Sequence, residues 1–284
     1  MRPAKTSCLM VAILLFSSTI GIAQSLNASR FEERAFSIGG GATNLVDTYL
    51  SPLEYKGWHV ALQGERFSQT KAKSGRWFAQ SLFSLHGDYT LAAKGQALTV
   101  GGMADYTYTY YYEAPLLSPQ GGKLRVFVGP QAQLRVGGIY NLRNSNNPAQ
   151  LKLGVNIAAS AMAKYGFTLW RVPMKIRLQA DMPLLGTAFG PDYGQSYYEI
   201  FYLRQAKDCV HLTTPHNNLS LRTALSYDIE FRPCTLRITW KEDLYHWQLG
   251  GQQYRMFNHT AMIGLVRNLY RVKRDEEARQ VIPY

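Results

Sequence analysis

The sequence predicts an all-β fold: a single antiparallel transmembrane β-barrel of about twelve strands, within a range of about ten to fourteen. Three observations predict it. Long segments alternate apolar and polar residues, the front of the chain reads as an export signal, and no apolar run is long enough for a membrane helix. A strand turns successive side chains to opposite faces, so alternation over many residues means one oily face and one polar face. A soluble sandwich could bury such faces. A membrane barrel accounts for more, because the oily face meets lipid while the polar face lines a lumen.

The elements follow in chain order. Met1 to Ala23 has basic Arg2 and Lys5, an apolar stretch from Leu9 to Phe16, and small Gly21 and Ala23 ahead of Gln24. This pattern is a secretory signal peptide, with Sec export and cleavage expected near Ala23. Cys8 precedes the apolar stretch, so it is not the lipid-modified first residue of a lipoprotein. Residues 24–33 read as a polar lead-in, 34–273 as the barrel and 274–284 as a charged C-terminal tail. Export without a helical anchor, combined with long amphipathic strands, points to a Gram-negative outer membrane.

Strands are expected at 34–48, 53–68, 75–94, 96–112, 122–140, 149–166, 169–182, 195–204, 219–232, 234–248 and 254–273. Pro, Gly, Asn and Ser clusters separate them, among them Pro119 to Gly122, Asn144 to Pro148, Pro183 and Pro215 to Asn218. The clearest alternation runs from Leu124 to Gly137, where Leu124, Val126, Val128, Ala132, Leu134 and Val136 oppose Arg125, Gln131, Gln133 and Arg135. Leu151 to Lys164, Trp170 to Asp181 and Leu219 to Arg232 repeat it. Even strand numbers are the rule for such barrels, so a twelfth strand is expected in 183–218 or 241–254. Tyr106, Tyr108, Tyr110 and Tyr112 share one face, with oil running into tyrosine at one end, as in an interfacial aromatic girdle. The connection from Pro183 to Ser196 carries Leu184, Leu185 and Phe189, so it is expected to fold against the barrel mouth or into the lumen.

The formal net charge is +12 over 284 residues, and about +10 once Arg2 and Lys5 are cleaved away. The basic residues are spread singly through alternating strands rather than clustered, which argues against a nucleic-acid partner. The candidate lumen-lining residues are Glu65, Asp88, Asp105, Arg125, Arg135, Lys152, Lys164, Lys175, Arg177, Arg222, Asp228 and Glu230. Their balance suggests a basic interior, with acidic groups on the early and late strands.

Four segments carry a resemblance that covers nearly all of the chain: Asn44 to Tyr55, Met182 to Gly186, Pro191 to Phe201, and Phe257 to Arg267. They resemble a family of exported proteins of gut-type anaerobic bacteria known only as a domain of unknown function. The resemblance implies an outer-membrane barrel and no established activity, so no catalytic residue is carried over. Such barrels often close on a terminal aromatic. Here Tyr284 follows the charged Arg274 to Arg279, so the assembly signal is expected within Gly264 to Tyr270.

No constellation amounts to an active site. His59, Gln63, Glu65, His86 and Asp88 share neighbouring faces and could form a general-base pair or a metal site, but a lumen network needs the same residues. His216 and Ser220 lie four residues apart, roughly 13 Å in an extended chain, too far for a nucleophile and its base. Gly39 to Gly41 lacks a phosphate-loop lysine and reads as a barrel bend. Cys209 and Cys234 flank a predicted strand of roughly 45 Å, which places them at opposite barrel ends as free thiols.

The expectation is therefore an outer-membrane barrel, not an enzyme, with a structural or binding role and a filled, basic lumen. A narrow, porin-like pore for small anionic solutes is the alternative, and a lipid- or peptide-cleaving barrel enzyme ranks third. No cofactor and no metal are expected. The partners expected are outer-membrane lipid, the outer-membrane assembly machinery and an envelope protein.

Overall fold

The structure, a computed structural model, describes residues 30–72, 74–95, 97–115, 123–145, 147–204, 209–231 and 234–271. The expected signal peptide, most of the expected lead-in and the charged tail lie outside the described residues. The first half of the sheet comprises β1 (Arg30–Asp47), β2 (Ser51–Gln69), β3 (Trp77–Ala92), β4 (Leu98–Glu113), β5 (Leu124–Asn141) and β6 (Ala149–Leu169). Then come β7 (Val172–Phe189), the short helix α1 (Tyr197–Phe201), β8 (Val210–Thr213), β9 (Leu221–Glu230), β10 (Thr235–Leu249) and β11 (Gln252–Arg271). All the pairings with a resolved register are antiparallel. β1 lies beside β11 and β6 beside β7, so the sheet closes on itself. β1 begins and β11 ends at one end of the barrel, here the terminal end; the opposite end is the distal end.

The closed barrel has ten strands plus one extra short one, not about twelve. β8 and β9 both pair with β7, β8 through Thr213 to Gly186 and β9 through Arg222 to Asp181. β7 advances five residues between those pairs while the partner chain advances nine. Four residues, Thr214 to Asn217, are thus looped out of what would be one continuous strand. Below the loop the chain rejoins β10, where Asn218 bridges Trp247 and Leu219 N–H donates to the His246 carbonyl. Pro183 sits in the same gap, at a register shift in β7 between its Ile157 and Ala158 partners. A proline offers no ladder N–H, so a bulge where neither β8 nor β9 reaches is where it fits. Pro183 is therefore a strand residue and not the turn read from sequence.

The expected strand at 195–204 is a helix start. Ser196 accepts from Glu199 N–H, while the Glu199 carboxylate accepts from the Ser196 backbone and hydroxyl, a capping box written as Ser-x-x-Glu. Those hydrogen bonds hold the Glu199 carboxyl below its ordinary range. The chain just before it crosses the distal mouth. Gly190 and Pro191 are buried, Tyr193 N–H donates to the Gly250 carbonyl at 2.8 Å, and Tyr49 hydroxyl donates to the Gln195 carbonyl at 3.1 Å. β1 also begins earlier than expected, at Arg30, which brings Glu33 inside the barrel.

Two hairpins use two-residue turns with both residues at positive φ, the geometry that suits the strand twist. Between β10 and β11 the turn is Gly250-Gly251, at 55° and 71°. Between β6 and β7 it is Trp170-Arg171, at 48° and 67°, which L side chains adopt at a cost of roughly 1–2 kcal/mol each. Arg171→Gly is therefore expected to raise stability by about 1 kcal/mol, read as a higher urea midpoint of the folded protein; an unchanged midpoint would show that the turn is unstrained.

Candidate functional site

Alternation puts one side chain in two on the inner wall, and the inner wall is where this molecule keeps its core. Two apolar plugs fill the ends. Phe67, Phe78, Tyr111, Phe127 and Met162 meet near the terminal end, with Phe67 stacked on Phe78 at 5.3 Å and edge-on to Phe127 at 5.6 Å. Met103, Tyr245, Trp247, Leu249, Tyr254 and Met256 belong to a second cluster towards the distal end. Trp247 thus turns inward.

Between the plugs lie charges in pairs. Arg237 of β10 donates to Asp228 on β9 through Nε and Nη2 (2.6 and 2.7 Å), to Glu65 on β2 (2.8 Å) and to Glu33 on β1 (2.6 Å). Arg177 of β7 adds a fork onto the same Glu65, at 2.5 and 2.9 Å. Lys164 approaches Glu33 at 3.7 Å and stands 3.7 Å over the Phe67 ring. Three cations and three carboxylates from six strands thus tie the barrel across its width. Because each long side chain must be held in place against water, a mutual lattice of this kind is how buried charge becomes tolerable.

A second knot lies in the middle. Arg135 Nε donates to Asp105 at 2.7 Å and its guanidinium carbon lies 3.3 Å from the Tyr245 ring centre. Arg222 reaches Asp243 at 3.2 Å and Tyr245 hydroxyl at 3.2 Å, and Lys241 pairs with Asp243 at 2.8 Å. Nearer the distal mouth Lys152 pairs with Asp47 at 2.8 Å over the face of Tyr254. Asp88 faces His86 at 3.1 Å and accepts from Thr43 at 3.2 Å. His59 is held by hydroxyls on both ring nitrogens, Thr43 at 2.8 Å and Thr260 at 2.9 Å. A histidine so occupied has no nitrogen left for a substrate, and among the described residues no group of three His, Cys, Asp or Glu is placed to hold a metal ion.

Three of the sequence-read candidates stand at the terminal rim. Arg125 forks onto Glu113 at 2.7 Å twice, and Lys175 pairs with Glu230, all of them half-exposed. The candidate lumen-lining residues read from sequence do not include Glu33, Asp47, Asp181 and Asp243. With them counted, eight buried carboxylates face six buried Arg and Lys plus the nearly buried Lys164, so the interior is balanced rather than basic. Cavities among these residues measure only about 30 Å³ beside Arg135 and Arg222 and about 10 Å³ beside His59 and beside Lys152. Such spaces admit a water or two and no solute. His216 lies in the looped-out segment while Ser220 donates to Asn218, so the two form no dyad. Cys209, whose Sγ donates to Gln195 Oε1 at 3.3 Å, lies next to β8 at the distal end, and Cys234 lies in the β9–β10 turn at the terminal end.

Residues 8–276 match the family described as "Protein of unknown function (DUF3316)". No curated protein matches the sequence. Among solved structures, the transport unit of the autotransporter AIDA-I from Escherichia coli is 9% identical, with 96% of this chain and 100% of that chain covered at a TM-score of 0.45. The outer membrane protease OmpT from Escherichia coli is 6% identical, with 88% and 100% covered at 0.45. The COG4313 outer membrane channel from Pseudomonas putida F1 is 11% identical, with 88% and 98% covered at 0.36. The barrel itself is established by the chain's own strand pairing.

Proposed function

The chain belongs to this family of unknown function, and we propose that it is an outer-membrane barrel with a plugged lumen and a structural or binding role. The observation that carries the reading is the outer wall. Every full-length strand exposes a large apolar side chain by more than a third: Ile38, Val60, Leu85, Val100, Leu134, Val155, Leu178, Leu225, Ile238 and Ile263 on β1 to β7 and β9 to β11 in turn. A belt of oil running round the whole barrel is far more than a soluble monomer presents to water, and it is what lipid requires. Aromatics flank it. Trp77 stacks on Tyr110 at 5.0 Å towards the terminal end, and Trp58 stacks on Tyr89 at 5.6 Å towards the distal end. The longest connection, from β7 to β8, lies at the distal end, which in such barrels faces outwards.

The plugs and ion knots favour a tie or a docking post over a conduit. Purified, folded protein in planar bilayers is expected to give no stable open level, with heat-modifiable migration of the same sample showing that the barrel is closed and inserted. A steady ohmic conductance would reject the plugged lumen and favour the narrow pore.

A further inference from the structure

We propose that the outer wall near the distal rim carries a lipid site, a groove between the wall and α1 that holds one acyl chain of an anionic, phosphate-bearing membrane lipid. This inference rests on the membrane reading above and adds a ligand to it. The groove is open to the surroundings along its length and holds about 550 Å³, the size range of small-molecule sites. Gly102 of β4 and Gly138 of β5, paired directly with each other, lie on its floor; Val100 and Tyr140 stand beside them, and Tyr197 and Phe201 overhang from α1.

The floor is not a by-product of backbone crowding. At Gly39 and Gly41, where β11 passes close, an added Cβ would lie 2.1 and 1.7 Å from a carbonyl oxygen, so only glycine fits there. At Gly102 and Gly138 the nearest atom would be 3.9 and 3.5 Å away, ordinary contact. Side chains fit at both positions, and Gly87 of β3, paired with Gly102, is equally open, so these outward glycines leave a trough in the wall. The roof is fixed in advance. Tyr197 hydroxyl accepts from Leu151 N–H at 2.6 Å, its ring meets Tyr49 edge-on at 5.8 Å, and the capping box sets where the helix begins.

The occupant follows from where the groove opens. It is continuous with the oily belt, whose solvent is acyl chain, so a chain entering it exchanges no water contacts for poor ones. Exposed Arg143 and Arg204 each lie three residues beyond a groove residue, Tyr140 and Phe201, and neither pairs with a carboxylate among the described residues. Cations on the connections that leave these groove residues suit a lipid whose headgroup bears a phosphate.

Native mass spectrometry of the full protein in detergent, titrated with dipalmitoyl phosphatidylglycerol or dipalmitoyl phosphatidylcholine, tests the site. Wild type is expected to retain one phosphatidylglycerol in preference to phosphatidylcholine. Gly102→Leu with Gly138→Leu, and separately Phe201→Ser, which leaves the sheet untouched, should each weaken retention by roughly tenfold. Arg143→Glu with Arg204→Glu should abolish the preference between the two lipids. Equal retention by the filled or unroofed variants, or no retained lipid on a heat-modifiable wild-type barrel, would overturn the groove alone. A wild-type protein that is soluble and not heat-modifiable would instead overturn the membrane reading, and the groove with it.

Discussion

Arg237→Leu is expected to destabilise the folded barrel by about 3–5 kcal/mol, measured by urea unfolding in vesicles or by the temperature at which heat-modifiable migration is lost. Arg237 is 2% exposed and answers Glu33, Glu65 and Asp228 at once. Leucine removes the shared cation and leaves three carboxylates facing one another, with Arg177 and Lys164 able to satisfy only part of that charge. The cost arises from the stranded partners rather than from the lost hydrogen bonds, and a second substitution separates the two. Adding Asp228→Asn to Arg237→Leu should recover part of the loss, giving a coupling of about 1–3 kcal/mol in a double-mutant cycle. Arg237→Lys should fall between wild type and leucine, because one ammonium lacks the planar fork that spans three acceptors. A cost below about 1 kcal/mol for Arg237→Leu would mean that water already screens these carboxylates. The lumen would then be open and not plugged.

The parts of this fold that were legible in the sequence are those governed by the pleat. From Leu124 to Asn141 and from Ala149 to Lys164, period-two alternation leaves one register, and Leu134 and Val155 point outward while Arg135 and Asn156 point in. What alternation cannot report is an inner face that is itself apolar. Phe67, Phe127, Met103 and Trp247 have inward parity but apolar chemistry, so a rule that reads the inner face as polar names no plug among them. The strand count ran high for a different reason: 195–204 holds a helix and not a strand, and the even-number rule added a twelfth strand where the chain has only the short β8, separated from β9 by Thr214 to Asn217. At α1 the local signal was present. Ser196-x-x-Glu199 is a helix start, but the aromatic run from Tyr197 to Tyr202 has the bulk of a strand and outweighed it. Glu33 was missed because the charged stretch ahead of it reads as solvated. Extending the parity of Ala35 and Ser37 back by one step places it inside.

Leu134→Arg separates a membrane wall from a wet one. Leu134 is 46% exposed near the middle of β5, between outward Tyr106 on β4 and Val155 on β6, with no carboxylate opposite it in the register. If the belt lies in lipid, an arginine near the bilayer midplane should cost about 2–4 kcal/mol or block assembly. Leu134→Phe, larger but apolar, should assemble and unfold like wild type. In water the order would be reversed, since a charge on an exposed strand face is close to neutral and an added aromatic invites association. The inward neighbour supplies the register control. Gln133→Leu keeps the outer wall intact and removes only the hydrogen bond to Gln131, so it should leave membrane assembly unchanged. Arginine and phenylalanine behaving alike at position 134 would remove the belt from lipid, and damage from Gln133→Leu equal to that from Leu134→Arg would mean that the lumen network, and not lipid, decides assembly.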